Sequence, residues 1–368
     1  RQRQMCIRDR LGNRYTINLK LSLFHKEDPM PVTIRDVAKE AGVSTSTVSK
    51  VLNNWSSISP GTCDRVHEAI KKLHYTPNAR AVSFAKGASH NILFLSSLKK
   101  EEAYRNPHMF DILCGVRRTL ADNGYTLMLT DLPDTPGPQE YLTGLIVNGI
   151  ADGILIHGSC SFPQLARLLT ENRFPHIHIG HPGPGSRMCW IDTNNGLAGQ
   201  FAAQHMLECG YEKVAFIGER KTDHISTQRL NGFLGGMYDY GYRIPDEYIR
   251  YTDSTREDAC RQTHQLLSLP LPPRAIICEN NMLALGVVKA LREKQLHIPD
   301  EAAFLTFDSY PYSSIIDPVP TVIDIDVYDL GVQAAEMLLR KLKNPSLLVQ
   351  TYTTLPVLRQ GQSTAPIH

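Results

Sequence analysis

Apolar residues keep one period near the amino end of this chain and another through the rest of it. Within Thr33–Asn54, Ile34, Val37, Ala38 and Ala41 recur at i, i+3, i+4 and i+7, which is one face of a short helix. Thr33 in front and Asp36 three residues on make a capping box, and Gly42 supplies the permissive backbone that ends the helix. Ser44 opens a second helix with Val48, Val51 and Leu52 turned inward. A third begins at Ser59-Pro60 and carries Val66, Ala69, Ile70 and Leu73 on its inner face, ending near His74. Three such helices enclose a small core of their own.

From Asn91 onward the period changes. Short apolar runs at Ile92–Leu95, Leu127–Leu129, Gly153–Ile156, His176–Ile179, Val214–Ile217, Ala275–Cys278 and Ala303–Phe307 read as buried strands. Helical segments lie between most of them, at 109–122, 163–172, 197–208, 228–240, 256–267 and 282–294. Strand alternating with helix predicts parallel sheets with helices on both faces. More than 270 residues of it exceed one comfortable sheet, so two similar subdomains are expected. The fold class is therefore an all-α amino-terminal domain followed by an α/β body of two parallel-sheet subdomains.

Net charge is only +2 but unevenly placed. Residues 1–29 carry seven Lys/Arg against three Asp/Glu, residues 30–90 eight against four, and the remainder 24 against 30. A basic front on an acidic body suits a nucleic-acid end joined to a ligand-binding or oligomerising end. No apolar run approaches the roughly 20 residues that a membrane span needs. The eight cysteines include no C-x-x-C pair, which argues against a zinc site and a disulfide framework and for free thiols in a reducing cytoplasm. Residues 1–29 are aperiodic, and Leu19–Phe24 is too short for a secretory apolar region, so they read as a disordered or non-native extension.

The outward face of the second helix is Thr45, Ser46, Ser49, Lys50 and Asn53, all hydrogen-bonding and none bulky. An apolar back with a short polar front fits a DNA major groove, although any small helical hairpin shares the pattern. The wording T-I-R-D-V-A-K-E-A-G-V-S-T-S-T-V-S-K-V-L-N goes further. It closely resembles the helix-turn-helix of the lactose/galactose repressor family of bacterial transcription regulators. The likeness continues through Tyr75-Thr-Pro-Asn78 and nearly to the carboxyl end.

The resemblance implies a sequence-specific DNA-binding regulator, a repressor, with a body like periplasmic sugar-binding proteins. Its DNA-binding set would be Thr33, Ser44, Thr45, Ser46, Thr47, Ser49, Lys50, Asn53, Tyr75, Asn78, Ala81 and Phe84. It divides the chain into a helix-turn-helix domain at 30–76, a hinge at 77–90 and an effector and dimerisation domain at 91–368. The subdomains would be 91–190 with 327–354, and 191–326 with 355–368, and Met30 sits where family members usually begin. In the family a hinge residue, usually leucine, wedges into the minor groove; Phe84 holds that place here, and the bland alternative is a plain linker. The partners implied are near-palindromic double-stranded DNA, a second copy of the chain and a small effector, with no membrane and a cytoplasmic setting. Leu355-Pro-Val-Leu358 is followed by polar Gln-Gly-Gln-Ser and no leucine heptad, which speaks for a dimer rather than a tetramer.

Open α/β sheets bind ligands beyond the carboxyl ends of their strands, here between the subdomains. Arg229, in Arg-Leu-Asn-Gly-Phe233, matches the family's R-x-x-G-[FW] arginine. Asn280 matches its A-N-D asparagine, with Asn281 in place of the aspartate and a correspondingly weakened helix start. Asp308 matches the first acid of G-F-D-D, with Ser309 replacing the second. Arg, Asn and Asp together supply donors and acceptors for vicinal hydroxyls. His157 and Asp192 also end or flank strands and join the candidate effector set, while Ser254 stands where many relatives carry a stacking aromatic. Ile179-Gly-His-Pro182 and Pro320–Gly331 look like the maltose-regulator branch, which favours a carbohydrate effector; a purine or nucleoside is the alternative. Pro175-His-Ile-His-Ile-Gly-His181 invites a metal, but metal sites need three or four converging ligands, so buried hydrogen-bonded histidines are expected instead. No nucleophile elbow, paired zinc histidines or phosphate loop is present, so neither catalytic residues nor a metal or cofactor are expected. A sugar-binding protein without DNA function is the remaining rival.

Overall fold

The computed structural model describes residues 32–52, 55, 57–76, 88–98, 108–133, 137–183, 185–309, 313–348 and 350–367. The chain divides into two compact units between residues 82 and 83.

The described residues of the smaller unit form three helices, α1 (Ile34–Ala41), α2 (Thr45–Leu52) and α3 (Pro60–Lys72). Their core is Val37, Ala38, Ala41, Val48, Val51, Val66 and Ala69, side chains short enough to let three brief helices close on one another. At the α1 start, Thr33 N–H donates to Asp36 Oδ2 at 2.8 Å, and its hydroxyl donates to the same oxygen at 2.7 Å. Gly42 takes φ 65, the left-handed conformation that turns the chain from α1 into α2 at no side-chain cost.

The larger unit begins with β1 (Asn91–Leu95), α4 (His108–Asp122), β2 (Thr126–Thr130), α5 (Pro138–Val147), β3 (Gly153–His157), α6 (Leu165–Glu171), β4 (His176–Ile179) and β5 (Trp190–Thr193). There follow α7 (Asn195–Glu208), β6 (Val214–Gly218), α8 (His224–Asp239), β7 (Ile249–Tyr251), α9 (Arg256–Leu267), β8 (Ala275–Cys278), α10 (Asn281–Glu293) and β9 (Ala303–Phe307). The last elements are β10 (Thr321–Asp324), α11 (Val327–Lys343), β11 (Thr351–Thr354) and β12 (Val357–Arg359). Two six-stranded sheets result, in the orders β11-β5-β4-β3-β1-β2 and β12-β10-β9-β8-β6-β7. Every pairing is parallel except β10 with β12, where the chain returns as an antiparallel edge.

Burial on both faces explains the continuous apolar runs. Along β1, Ile92 and Phe94 point into a core shared with α4 and α11, whereas Leu93 and Leu95 enter one shared with α5 and α6. β2 departs from the expected buried strand: Met128 and Leu129 are exposed, because β2 is the edge of its sheet. The helices α5 and α11 and the strands β5, β7, β10, β11 and β12 lie outside the elements anticipated from the pattern; α5 and the strands are short or weakly amphipathic. The chain passes between the sheets after β5, after β10 and between β11 and β12. No helix among the described residues is long and apolar enough to cross a membrane.

Helices α7 and α8 pack backbone to backbone. A Cβ on Gly232 would strike the Gly196 carbonyl, and one on Gly199 would strike the Arg229 carbonyl. Gly232→Ala is therefore expected to cost about 1–3 kcal/mol or more, read as a lower urea midpoint of the larger unit. An unchanged midpoint would show that the two helices separate freely.

Candidate functional site: a polar cleft and a helix-turn-helix face

Residues that follow the carboxyl ends of strands in both sheets meet at one place. Arg229, in the first half of α8, is buried and lies with its guanidinium carbon 4.5 Å from the Phe307 ring centroid. Its Nε donates to Asn195 Oδ1 at 3.1 Å and its Nη1 to the Glu279 carbonyl at 2.8 Å. The fork also grips both oxygens of Asp308, Nη2 to Oδ1 at 3.1 Å and Nη1 to Oδ2 at 3.3 Å. From the other half, His108 at the start of α4 brings Nε2 to 3.1 Å from Asp308 Oδ2. Burial alone would raise the Asp308 carboxyl, but Arg229 and His108 outweigh it and hold the group at about 2.

Asp308 adopts φ 67, a left-handed conformation that few non-glycine residues take. Three contacts secure it: the arginine fork, its own N–H donating to the Ile323 carbonyl at 2.9 Å, and Asn281 Nδ2 donating to its carbonyl at 2.5 Å. Asn281 also donates to the Phe307 carbonyl at 3.2 Å. This corrects the expectation of a weakened helix start. Asn280 is the N-cap of α10, accepting from Leu283 N–H at 3.0 Å, while the Asn281 amide donates to two carbonyls that an aspartate could not serve.

Asn280 turns its Nδ2 to Glu219 Oε1 at 2.9 Å, and Glu279 accepts from the Glu219 N–H at 2.6 Å. Burial pushes the Glu279 carboxyl up to about 7 against the pull of Arg229, and burial likewise raises Glu219. Asp192, on β5, is buried and raised for the same reason, with one oxygen accepting from Thr193 N–H at 2.8 Å. His157 ends β3 with Nδ1 2.9 Å from Ser159 Oγ; burial, with His178 and His108 nearby, lowers it to about 4. His181, past β4, sits 4.6 Å from the His224 ring and 4.9 Å from Trp190 by ring centroids. His176 and His178 each direct Nδ1 at a carbonyl, of Phe174 and Gly180 respectively, both at 2.7 Å.

In the small unit, Thr45, Ser46 and Lys50 are exposed along α2, with Thr47 and Ser49 half-buried beside them. Ser44 spends its hydroxyl on the helix start, 2.7 Å from Ser46 Oγ and 3.1 Å from the Thr47 N–H. Lys50 Nζ lies 5.7 Å from the centroid of the exposed Trp55 ring. Tyr75 is half-buried against the helical core. Asn53, Asn78, Ala81 and Phe84 lie outside the described residues, as do residues 1–29 and most of the expected hinge.

Residues 33–78 match the family profile for bacterial regulatory proteins of the lacI family, and residues 203–364 match the periplasmic binding protein-like domain. The chain is 29% identical over 343 residues to the ribose operon repressor of Escherichia coli (strain K12), covering 90% of this chain and 99% of the repressor. It is 29% identical to the HTH-type transcriptional repressor PurR of Actinobacillus pleuropneumoniae serotype 3 (strain JL03), over 84% of this chain and 91% of that protein. The chain belongs to the lacI family of bacterial regulatory proteins. This lacI-family chain is a DNA-binding transcription regulator. Its fold is shared with the lac repressor dimer bound to operator and an anti-inducer, at a TM-score of 0.76 and 21% identity over 91% of this chain and 99% of that one. It is shared too with the transcriptional regulator CelR in complex with cellobiose, at a TM-score of 0.67 and 22% identity over 90% and 99%.

Of the expected cleft residues in this lacI-family regulator, the fold joins Arg229 directly to Asp308 and places Asn280 one residue from each of Glu279 and Asn281, which contact that pair. His157 and Asp192 line the opposite half. His108, Asn195, Glu219, Glu279, His181 and His224 were not anticipated. Glu219 and Glu279 directly follow β6 and β8, so their place after a strand end was the one signal available. Raising a carboxyl above its ordinary value makes its ionisation costly to the fold, so stability falls as pH climbs from about 4.5 through 7. Glu279→Gln keeps the acceptor without the charge. Melting curves should show the variant more stable than the parent at pH 8 and equal to it near pH 4.5. A pH-independent difference would contradict this.

Proposed function

We propose that the chain is a repressor of carbohydrate-utilisation genes that works in the cytoplasm as a homodimer, by binding rather than catalysis, and whose operator affinity is set by a sugar in the cleft. The observation that carries the reading is the meeting of His108 with Asp308 and Arg229 between the two sheets. A polyhydroxyl ligand can exchange its own hydroxyls for these contacts, and Arg229, Asn280 and Asp308, with His157 and Asp192 opposite, offer donors and acceptors for it. Any ligand with different affinity for the open and closed arrangements shifts their balance and so links the cleft to DNA. The names of relatives support two effector classes: a ribose operon repressor and a cellobiose complex on one side, PurR and CytR on the other. The hydrogen-bonding side chains gathered here, Arg229 with Asn195 and Asp308 and Asn280 with Glu219, favour the sugar.

A thermal-shift screen of mono- and disaccharides against purines and nucleosides tests the effector. A ligand at a hundred times its dissociation constant adds about 2.7 kcal/mol to the state that binds it, an upward shift of several degrees. Expected are a sugar hit in the parent chain and its loss in Arg229→Ala. A purine hit without a sugar response would sink the carbohydrate reading, and a sugar hit indifferent to Arg229→Ala would sink the site.

On the DNA side, Thr45 and Ser46 read base edges from α2, and Lys50 contacts a base or a phosphate. Two copies of the helix on a two-fold axis read a near-palindrome, with Phe84 of each hinge as the minor-groove wedge. Selection from random DNA should return a near-palindrome for the parent chain. The double variant Thr45→Ala, Ser46→Ala should prefer other bases, at about 1–3 kcal/mol for each lost contact. The same preferred site in both proteins would remove this helix from the reading role.

A further inference from the structure

Away from the cleft, α9 and α10 carry a cluster that neither the DNA face nor the effector site uses. Cys260 and His264 stand four residues apart on α9 and so share one face. Glu293, in the last turn of α10, faces them. The three donor atoms all lie within 4.8 Å of one another. His264 Nε2 is 2.7 Å from Glu293 Oε2, and Cys260 Sγ is 3.8 Å from the same oxygen. The other carboxylate oxygen, Oε1, lies 3.9 Å from Lys289 Nζ, which leaves Oε2 aimed at the sulfur and the imidazole.

We propose that Cys260, His264 and Glu293 form a three-ligand site for a divalent transition-metal ion of the zinc class. Tetrahedral bond lengths of about 2.3 Å to sulfur and 2.0–2.2 Å to nitrogen and oxygen set donor pairs about 3.3–3.6 Å apart. The His264–Glu293 pair opens, and the Cys260–Glu293 pair closes, by only some tenths of an ångström to reach that geometry. Thiolate and imidazole together select zinc-like ions over magnesium or calcium, and water fills the fourth position. The frame is rigid where it matters. A Cβ on Gly286 would meet Ala259 Cβ at 2.6 Å and Cys260 N at 2.9 Å, so α10 rests directly on the turn of α9 that carries the cysteine. Glu293 is about 18 Å along α10 from Asn281, which separates this site from the cleft. The ion replaces the thiol proton and the His264–Glu293 hydrogen bond, and the released proton goes to solvent. Metal binding here clamps two helices of the second sheet.

Cobalt(II) titrated into the untagged, reduced full chain tests the site, because a cobalt–thiolate bond gives a near-ultraviolet charge-transfer band and strong visible bands. Expected are one equivalent bound per chain, displacement by zinc, loss of the band in Cys260→Ser, and affinity at least about tenfold weaker in His264→Ala and in Glu293→Gln, since outer-sphere partners alone are worth that much. No thiolate band at millimolar cobalt, or a band that Cys260→Ser leaves intact, overturns the proposal. Should Cys260→Ser fail to fold by circular dichroism, the partly exposed His264 decides instead: full affinity in His264→Ala overturns it.

Discussion

The ion pair between Arg229 and Asp308 organises the larger unit. Both side chains are buried, and neither charge is tolerable there without the other, because the desolvation of each must be offset by a close partner with good geometry. The planar fork provides that geometry on two oxygens at once, and Phe307 covers the guanidinium face. The pair exists only because α8 approaches α7 closely enough, through Gly199 and Gly232, to aim Arg229 past Asn195 at the end of β9. With Asp308 held ionised, His108 has a fixed anion to meet from the opposite half.

A second consequence concerns the polar groups buried around that pair. Asn195, Asn281 and Glu279 are all buried, and each makes hydrogen bonds that fix its orientation. Such a network is rigid when complete and costly when broken, which suits a site that must keep its shape between ligands. The two sheets are joined by three chain passages and by contacts such as His108–Asp308 and His181–His224. Polar contacts of this kind between two well-packed bodies are ones that a bound molecule can exchange.

The helical unit obeys a different constraint. Its core is made of alanines and valines, so its stability rests on close approach of short helices and on caps at Thr33, Gly42 and Ser44. With the Ser44 hydroxyl at the helix start, Thr45, Ser46 and Lys50 stand outward and exposed on α2. Short polar side chains on that face let the helix backbone come near a groove wall.

The sequence by itself determined most of the architecture, for reasons of periodicity. The runs at His176–Ile179, Ala275–Cys278 and Ala303–Phe307 coincide with strands because both faces of those strands are buried, and the helix at 256–267 coincides with α9 because one face is. The helix-turn-helix was legible for a local reason: its caps and turn are written in Thr33, Asp36, Gly42 and Ser44. Arg229, Asn280 and Asp308 were legible as candidates through a resemblance, since nothing local distinguishes an arginine within a helix from a surface one. Tertiary structure alone decided what those residues touch. It brought Arg229 to Asp308 across 79 positions of chain, made Asn280 the cap and Asn281 the carbonyl donor, and set His108 against the pair. Long-range pairings of this kind have no period and no fixed spacing, because the sheet order that creates them, not the neighbouring residues, sets the distance. For the same reason Cys260, His264 and Glu293 look like three scattered residues in the chain and become one cluster only where α9 rests on α10.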